Sequence, residues 1–169
     1  MTNLPGAFER LRILTAHLGD LESFGPAIEG CVGVFHIATL MDLEDRRPEP
    51  VVTRRTIDGA LGILRVYLNS KTMKRVVYTL SASAVQFNND SGDDTLDVDS
   101  WSDVESLREV TRSGAYAILK TMTEKVVIEF RERHRLEVVT MAPTRVHGPF
   151  ICTEFARFVH IALVLVLGL

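Results

Sequence analysis

Tyr116 and Lys120 stand four residues apart in a segment whose apolar spacing predicts a helix. Both therefore project from one helix face, with Cβ atoms ~5–6 Å apart. A tyrosine on its own, with a pKa of ~10, is a poor proton donor at neutral pH. An ammonium within ~4–6 Å of a phenol favours the phenolate, which makes proton transfer to a reacting oxygen feasible. Ser81 follows an apolar run that predicts a strand. A hydroxyl at the C-terminal end of a parallel strand lies on the edge of an open α/β sheet where ligands bind. Ser81, Tyr116 and Lys120 together can thus form a proton-transfer site for a carbonyl being reduced to an alcohol. Ser83, two residues on, is the local alternative to Ser81. Tyr67 and Lys71 have the same spacing at the end of an earlier helix, where a solvated helix terminus is the expected reading.

These residues need a sheet to hold them, and the chain alternates β-rich runs with helical ones, the pattern of an α/β protein with a parallel sheet. Strands are expected over Leu11–Thr15, Val32–Ala38, Arg75–Leu80 and Glu137–Met141. Asp20 can cap a short helix over Leu21–Glu29 that Gly30 stops. Pro50 opens a second helix, with Ile57, Ala60, Leu61, Leu64 and Leu68 as its apolar stripe. The Tyr116 helix should run from Ser113 to His134, with Leu119, Met122, Val126 and Phe130 on one face. Asn88–Glu105 reads as an acidic loop around Trp101, and Glu154–Val166 as a final helix.

The chain has 169 residues, 46% of them hydrophobic and 24% charged, with a net charge of −3, so a single soluble domain is expected. The acidic balance argues against nucleic acid as a partner. Cys31 and Cys152 are too far apart in sequence to suggest a disulfide framework. Phe158–Leu169 is shorter than the ~18 residues a membrane span needs, and no signal peptide is evident, so a reducing, cytoplasmic setting is expected. His36 reads as a hydrogen-bonded core histidine. His147, Cys152 and His160 lack metal-site spacing, and the acidic loop lacks the glycine and terminal Glu of a calcium loop, so no metal is expected.

Several segments together resemble the plant dihydroflavonol reductase group of the extended short-chain dehydrogenases/reductases. They are Gly33-Val34-Phe35-His36, Thr56 to Leu64, Trp101-Ser102-Asp103, Tyr116 to Lys120, and Pro143 to Pro149. Asn69-Ser70-Lys71-Thr72 and Leu163 to Gly168 fit the vestitone reductase branch of that group. The resemblance implies a Rossmann-like domain that binds NADP(H) and reduces a ketone or aldehyde of a flavonoid, isoflavonoid or phenylpropanoid. It further implies that Ser81 is the catalytic serine, Tyr116 the proton donor, and Lys120 the lysine that also bonds the nicotinamide ribose. It places Leu18, Ile37, Ala38, Thr39, Pro143, Thr144, Arg145 and Val146 along the cofactor. At His17-Leu18 a histidine replaces the aspartate usual at the adenine ring.

The sequence departs from the group elsewhere. No strand is followed by a Gly-x-x-Gly-x-x-Gly turn, the usual pyrophosphate cradle. Gly59 and Gly62 sit mid-helix, and Gly30 and Gly33 lead into a strand, so both pairs read as packing or turn glycines. The expected fold is therefore a partial, doubly wound Rossmann-like parallel sheet, a single incomplete NAD(P)-binding domain over residues 1–169. It would lack the first two strands and the C-terminal substrate domain, and NADP(H) binding would be impaired without the glycine-rich loop. In the strand order 3-2-1-4-5-6 the three contiguous strands left would start near Val32, Val76 and Val138. The Leu11 strand would slide over to pair with the Val32 strand or hang loose. The leading expectation is an NADPH-dependent reductase of a small phenolic carbonyl compound. Its alternative is a catalytically dead relative that associates with a full-length homologue through the helices Pro50–Ser70 and Ser113–His134.

Overall fold

Three of the four apolar runs become strands: β1 (Gly33–His36), β2 (Arg75–Thr79) and β3 (Val138–Met141). They form one parallel sheet in the order β1-β2-β3, with Val34 opposite Val76 and Val76 opposite Val138. This computed structural model describes residues 4–39, 48–88, 100–109, 113–144 and 146. Contacts divide the chain into two units, Thr15–Pro143 and Met1–Leu14 with Thr144–Leu169.

The smaller unit contributes a one-turn helix, α1 (Ala7–Arg10), to the described residues. The predicted Leu11–Thr15 strand does not form: its residues have no regular structure and are exposed. A strand needs a neighbour for its backbone groups, and among the described residues the sheet consists of β1, β2 and β3. The expectation of three contiguous strands is met.

In the larger unit, Asp20 caps as predicted, its carboxylate accepting the Glu22 N–H at 3.2 Å. The element it starts is a 3-10 turn, Leu21–Phe24, followed by α2 (Gly25–Ile28). Pro26 carries no N–H to continue the first turn, which accounts for the break. Gly30 ends it at φ +74°, a conformation glycine adopts without strain.

Helix α3 (Glu49–Asn69) opens with Pro at its first turn, and the Glu49 carboxylate accepts the Thr53 hydroxyl at 2.6 Å. Its buried residues include Thr53, Thr56, Ala60, Ile63, Leu64 and Tyr67, while Leu68 is exposed, which corrects the predicted stripe at its last position. Tyr67 is likewise not a solvated terminus. It is buried, and its hydroxyl donates to the Lys74 carbonyl at 2.8 Å, tying the helix end to the entry of β2. Gly59 and Gly62 are packing glycines as expected, since a Cβ at either would press on Leu18 or Leu21.

The loop expected over Asn88–Glu105 ends two residues early, where α4 (Val104–Glu109) begins. Asp103 supplies the start, accepting from Glu105 N–H at 3.0 Å and Ser106 N–H at 3.2 Å. Helix α5 (Ser113–His134) has the predicted bounds. Beyond it Arg135 sits at φ 54°, and the Leu136 N–H donates to the Arg131 carbonyl at 3.0 Å. Left-handed geometry costs a non-glycine residue roughly 1–2 kcal/mol, partly offset by the extra unfolded-state freedom of glycine. Arg135→Gly is therefore expected to stabilise the chain by about 0.5–1 kcal/mol in urea unfolding. The predicted helix Glu154–Val166, with His147, Cys152 and His160, lies outside the described residues.

Helices α3 and α5 pack on one sheet face over a core of Ala60, Ile63, Leu64, Tyr67, Val76, Tyr78, Val127 and Val138. Phe35, Val139 and Met141 belong to the opposite face and are exposed. Among the described residues no helix is long and apolar enough to cross a membrane.

Candidate active site

Lys120 is the most constrained of the three candidate side chains. It lies on the sheet-facing side of α5, only 3% exposed. Its ammonium donates to Thr39 Oγ1 at 2.8 Å, just past β1, and to the Thr79 carbonyl at 3.2 Å, at the end of β2. Two parallel strands and the helix that returns from one of them thus converge on a single nitrogen. The same nitrogen stands 5.8 Å from the centre of the Tyr116 ring and 6.0 Å from that of Tyr78. Burial pushes the Lys120 pKa down from 10.5 to about 8.

Ser81 lies just beyond β2, half-buried, with its side chain capping a 3-10 turn over Ala82–Ala84. Several bonds anchor that turn. Ala82 N–H donates to the Pro143 carbonyl at 3.0 Å, joining it to the exit of β3. Thr121, fully buried, shares its hydroxyl proton between the Ala117 carbonyl at 2.8 Å and the Ala84 carbonyl at 3.2 Å, joining the turn to α5 one residue past Lys120. The Ser102 N–H donates to the same Ala84 carbonyl at 2.8 Å. Trp101 faces the helix too, with the Lys125 ammonium 5.2 Å from its ring centre. The Trp101-Ser102-Asp103 triplet is therefore a clamp on the Ser81 turn and the cap of α4.

Beneath these groups runs a polar row that the sequence reading did not anticipate. His36 pairs with Tyr78 across β1 and β2, and Tyr78 with Thr140 across β2 and β3. Thr123 and Glu124, on α5, are buried with them. The rings of His36 and Tyr78 meet edge to face, centres 5.0 Å apart. His36 Nε2, the Tyr78 hydroxyl and Glu124 Oε2 are buried without a hydrogen-bond partner among the described residues. His36 is a core histidine as expected, but its Nε2 finds no hydrogen-bond partner among the described residues. One signal could have exposed the row: Tyr116, Lys120 and Glu124 recur every four residues, which puts three titratable groups on the buried face of one helix.

Burial, with the nearby Lys120 ammonium second, lowers the His36 pKa from 6.5 to about 4. Desolvation raises that of Glu124, and a bond from Thr140 opposes the rise. The folded chain therefore resists protonating His36. The stability this provides is whole above pH 6.5 and is lost as the pH falls toward 4, by about 3 kcal/mol. Glu124 acts in the opposite sense, gaining stability on acidification. His36→Phe keeps a ring beside Tyr78 and should remove the imidazole contribution alone. Urea unfolding of both chains at pH 7 and pH 4.5 should show the wild type losing about 2–3 kcal/mol more than the variant.

The remaining predicted residues are spread out. Ile37 and Ala38 are exposed in the segment leading from β1 to Thr39, and Pro143 lies at the Ser81 turn. Leu18 packs against Gly59 of α3. Thr144 and Val146 are exposed and belong to the smaller unit, and Arg145 lies outside the described residues. A lysine ammonium has three N–H donors. Among the described residues two of those on Lys120 are used, and a third is chemically suited to a ribose hydroxyl. The nicotinamide-ribose end of NADP(H) thus fits the residues present, whereas nothing in the sequence supplies the glycine-rich pyrophosphate turn.

Parallel strands joined by crossover helices, with a Tyr-x-x-x-Lys pair on the second helix, define a Rossmann-like short-chain dehydrogenase/reductase fold. The sequence matches the 3-beta hydroxysteroid dehydrogenase/isomerase family over residues 5–163, and the chain belongs to that family. Within it the chain falls in the dihydroflavonol reductase and vestitone reductase group of extended short-chain dehydrogenases/reductases. It is 50% identical to vestitone reductase of Medicago sativa over 169 residues, covering 99% of this chain and 52% of that protein. It is 41% identical to a dihydroflavonol 4-reductase of Medicago sativa over 152 residues, covering 89% of this chain and 70% of that one. The crystal structure of alfalfa vestitone reductase superposes with a TM-score of 0.85 at 47% identity, over 97% of this chain and 50% of that one. The chain spans about half the length of most of these relatives.

Proposed function

We propose that the chain carries the reductive site of an NADPH-dependent carbonyl reductase acting on a ketone of a flavonoid, isoflavonoid or phenylpropanoid. One observation supports this most: a buried Lys120 ammonium held by Thr39 and the Thr79 carbonyl beside the Tyr116 ring. When bound, NADPH supplies the hydride that reaches the carbonyl carbon. Tyr116 donates its phenolic proton to the carbonyl oxygen, and Ser81 orients that oxygen through its own O–H. Lys120 stabilises negative charge as it develops on the phenolic oxygen, and its third N–H bonds the nicotinamide ribose. Thr39 and the Thr79 carbonyl hold the lysine in place, so its position does not depend on the cofactor.

A second reading has one observation in its favour, the lack of a Gly-x-x-Gly-x-x-Gly turn. On that reading the chain is an inert relative that associates with a full-length reductase. Titration with NADPH, followed by turnover with an isoflavanone or dihydroflavonol, separates the two. The reductase reading predicts saturable binding and alcohol formed in step with NADPH consumed. Absence of both, with co-purification of a full-length homologue, would support the second.

A further inference from the structure

The Ser81 oxygen is already engaged from inside its own turn. The Ser83 hydroxyl donates to Ser81 Oγ at 2.8 Å, and the Ser83 N–H donates to the same atom at 3.3 Å. A serine hydroxyl has two lone pairs and one proton. Both lone pairs are taken, so the capacity left to Ser81 is that of a single O–H donor.

Ser83 is itself held. Its carbonyl accepts the Ser102 hydroxyl at 2.8 Å, and Ser102 is 2% exposed. Ser102 Oγ in turn accepts the Phe87 N–H at 3.0 Å. A directed chain therefore leads from the Phe87 N–H through the Ser102 hydroxyl to the Ser83 carbonyl. The Ser83 side chain then leads on to Ser81. A lone serine rotor could point its proton at any acceptor in reach, including a neighbouring carbonyl group of the chain. With both lone pairs occupied, rotation would break a bond to Ser83.

We infer that Ser83 is a positioning residue, which makes Ser81 a one-way donor toward the oxygen of the bound carbonyl substrate. This rests on the reductase reading above. It gives the second serine of Ser81-Ala82-Ser83 a role distinct from the first, since Ser83 acts on the substrate only through Ser81. A ketone oxygen, which accepts and cannot donate, is the partner such a serine suits. An alcohol oriented through its own O–H would need Ser81 to accept, and no lone pair is left for that.

Two experiments on the full chain test this separately from the reductase reading. Neutron diffraction from deuterated crystals shows the hydroxyl deuterons whether or not the chain turns over. The Ser83 deuteron is expected on the line to Ser81 Oγ, with the Ser81 deuteron off that line. A Ser81 deuteron pointing at Ser83 Oγ would overturn the inference. In steady-state reduction of an isoflavanone, Ser83→Ala is expected to lower kcat about tenfold while KM stays within about twofold, and Ser83→Thr should restore kcat. Equal loss in Ser83→Ala and Ser83→Thr, or no loss in Ser83→Ala, would overturn it as well. A wild-type chain with no turnover would overturn the reductase reading, and the deuteron positions would then decide the Ser83 inference on their own.

Discussion

Tyr116→Phe is expected to lower kcat for NADPH-dependent ketone reduction by about 10²–10⁴-fold, the usual contribution of a positioned general acid. The phenylalanine ring fills nearly the same space, and α5 holds it through the buried residues Ala117, Ile118, Leu119 and Lys120. Folding and NADPH affinity should therefore change little, and KM for the ketone should move far less than kcat. Stopped-flow measurement of NADPH oxidation under single-turnover conditions isolates the chemical step. Loss confined to KM would mean that the phenol only binds the substrate, and unchanged single-turnover rates would remove Tyr116 from the reaction.

Lys120→Met should separate activity from stability. The ammonium is buried with neutral oxygens as its hydrogen-bond partners, Thr39 Oγ1 and the Thr79 carbonyl. A pKa of about 8 in place of 10.5 means that the fold disfavours the charged form by ~3 kcal/mol at neutral pH. Methionine spans a similar length without the charge, although it leaves two oxygens without their donor, which costs part of the gain. The variant is thus expected to be about 1–3 kcal/mol more stable than the wild type at pH 7, while kcat falls by about 10²-fold or more. The pH dependence provides a second check. A lysine whose folded pKa is depressed costs stability in full below pH 8, and that cost disappears as the pH rises to 10.5. The stability difference between variant and wild type should therefore shrink across that interval. A variant less stable than the wild type at every pH would show that Lys120 is a structural residue whose burial is more than compensated.

Much of this site was legible in the sequence because its parts obey local rules. The four-residue spacing of Tyr116 and Lys120 put both on one face, and α5 runs over the predicted residues. The apolar runs near Val32, Val76 and Val138 became the strands, since a strand buried on the helix-covered face needs β-branched and aromatic side chains whatever its neighbours. Pairing was not legible for Leu11–Thr15. Its residues have strand character, but strand formation depends on a partner elsewhere, which local pattern does not report. Tyr67 shows a similar limit. Spacing made it the twin of Tyr116, whereas tertiary contact with the Lys74 carbonyl made it a core residue.

The polar row beneath Lys120 was missed for a different reason. Thr121, Thr123 and Glu124 are polar, so the apolar stripe of the helix did not include them, and the packing of α5 on the sheet buries them. The Ser81–Ser83 bond was hidden because two serines flanking an alanine suggest alternatives for one role. The 3-10 turn converts them into donor and acceptor.

A crystal structure of the chain with a bound ketone, such as an isoflavanone, tests the proposed meeting of Ser81, Tyr116 and Lys120 most directly. The ketone oxygen should lie ~2.6–3.2 Å from both Ser81 Oγ and Tyr116 Oη, with the Lys120 ammonium still bonded to Thr39 and the Thr79 carbonyl. A ketone held elsewhere, or seated with its oxygen on only one of the two hydroxyls, would contradict the account.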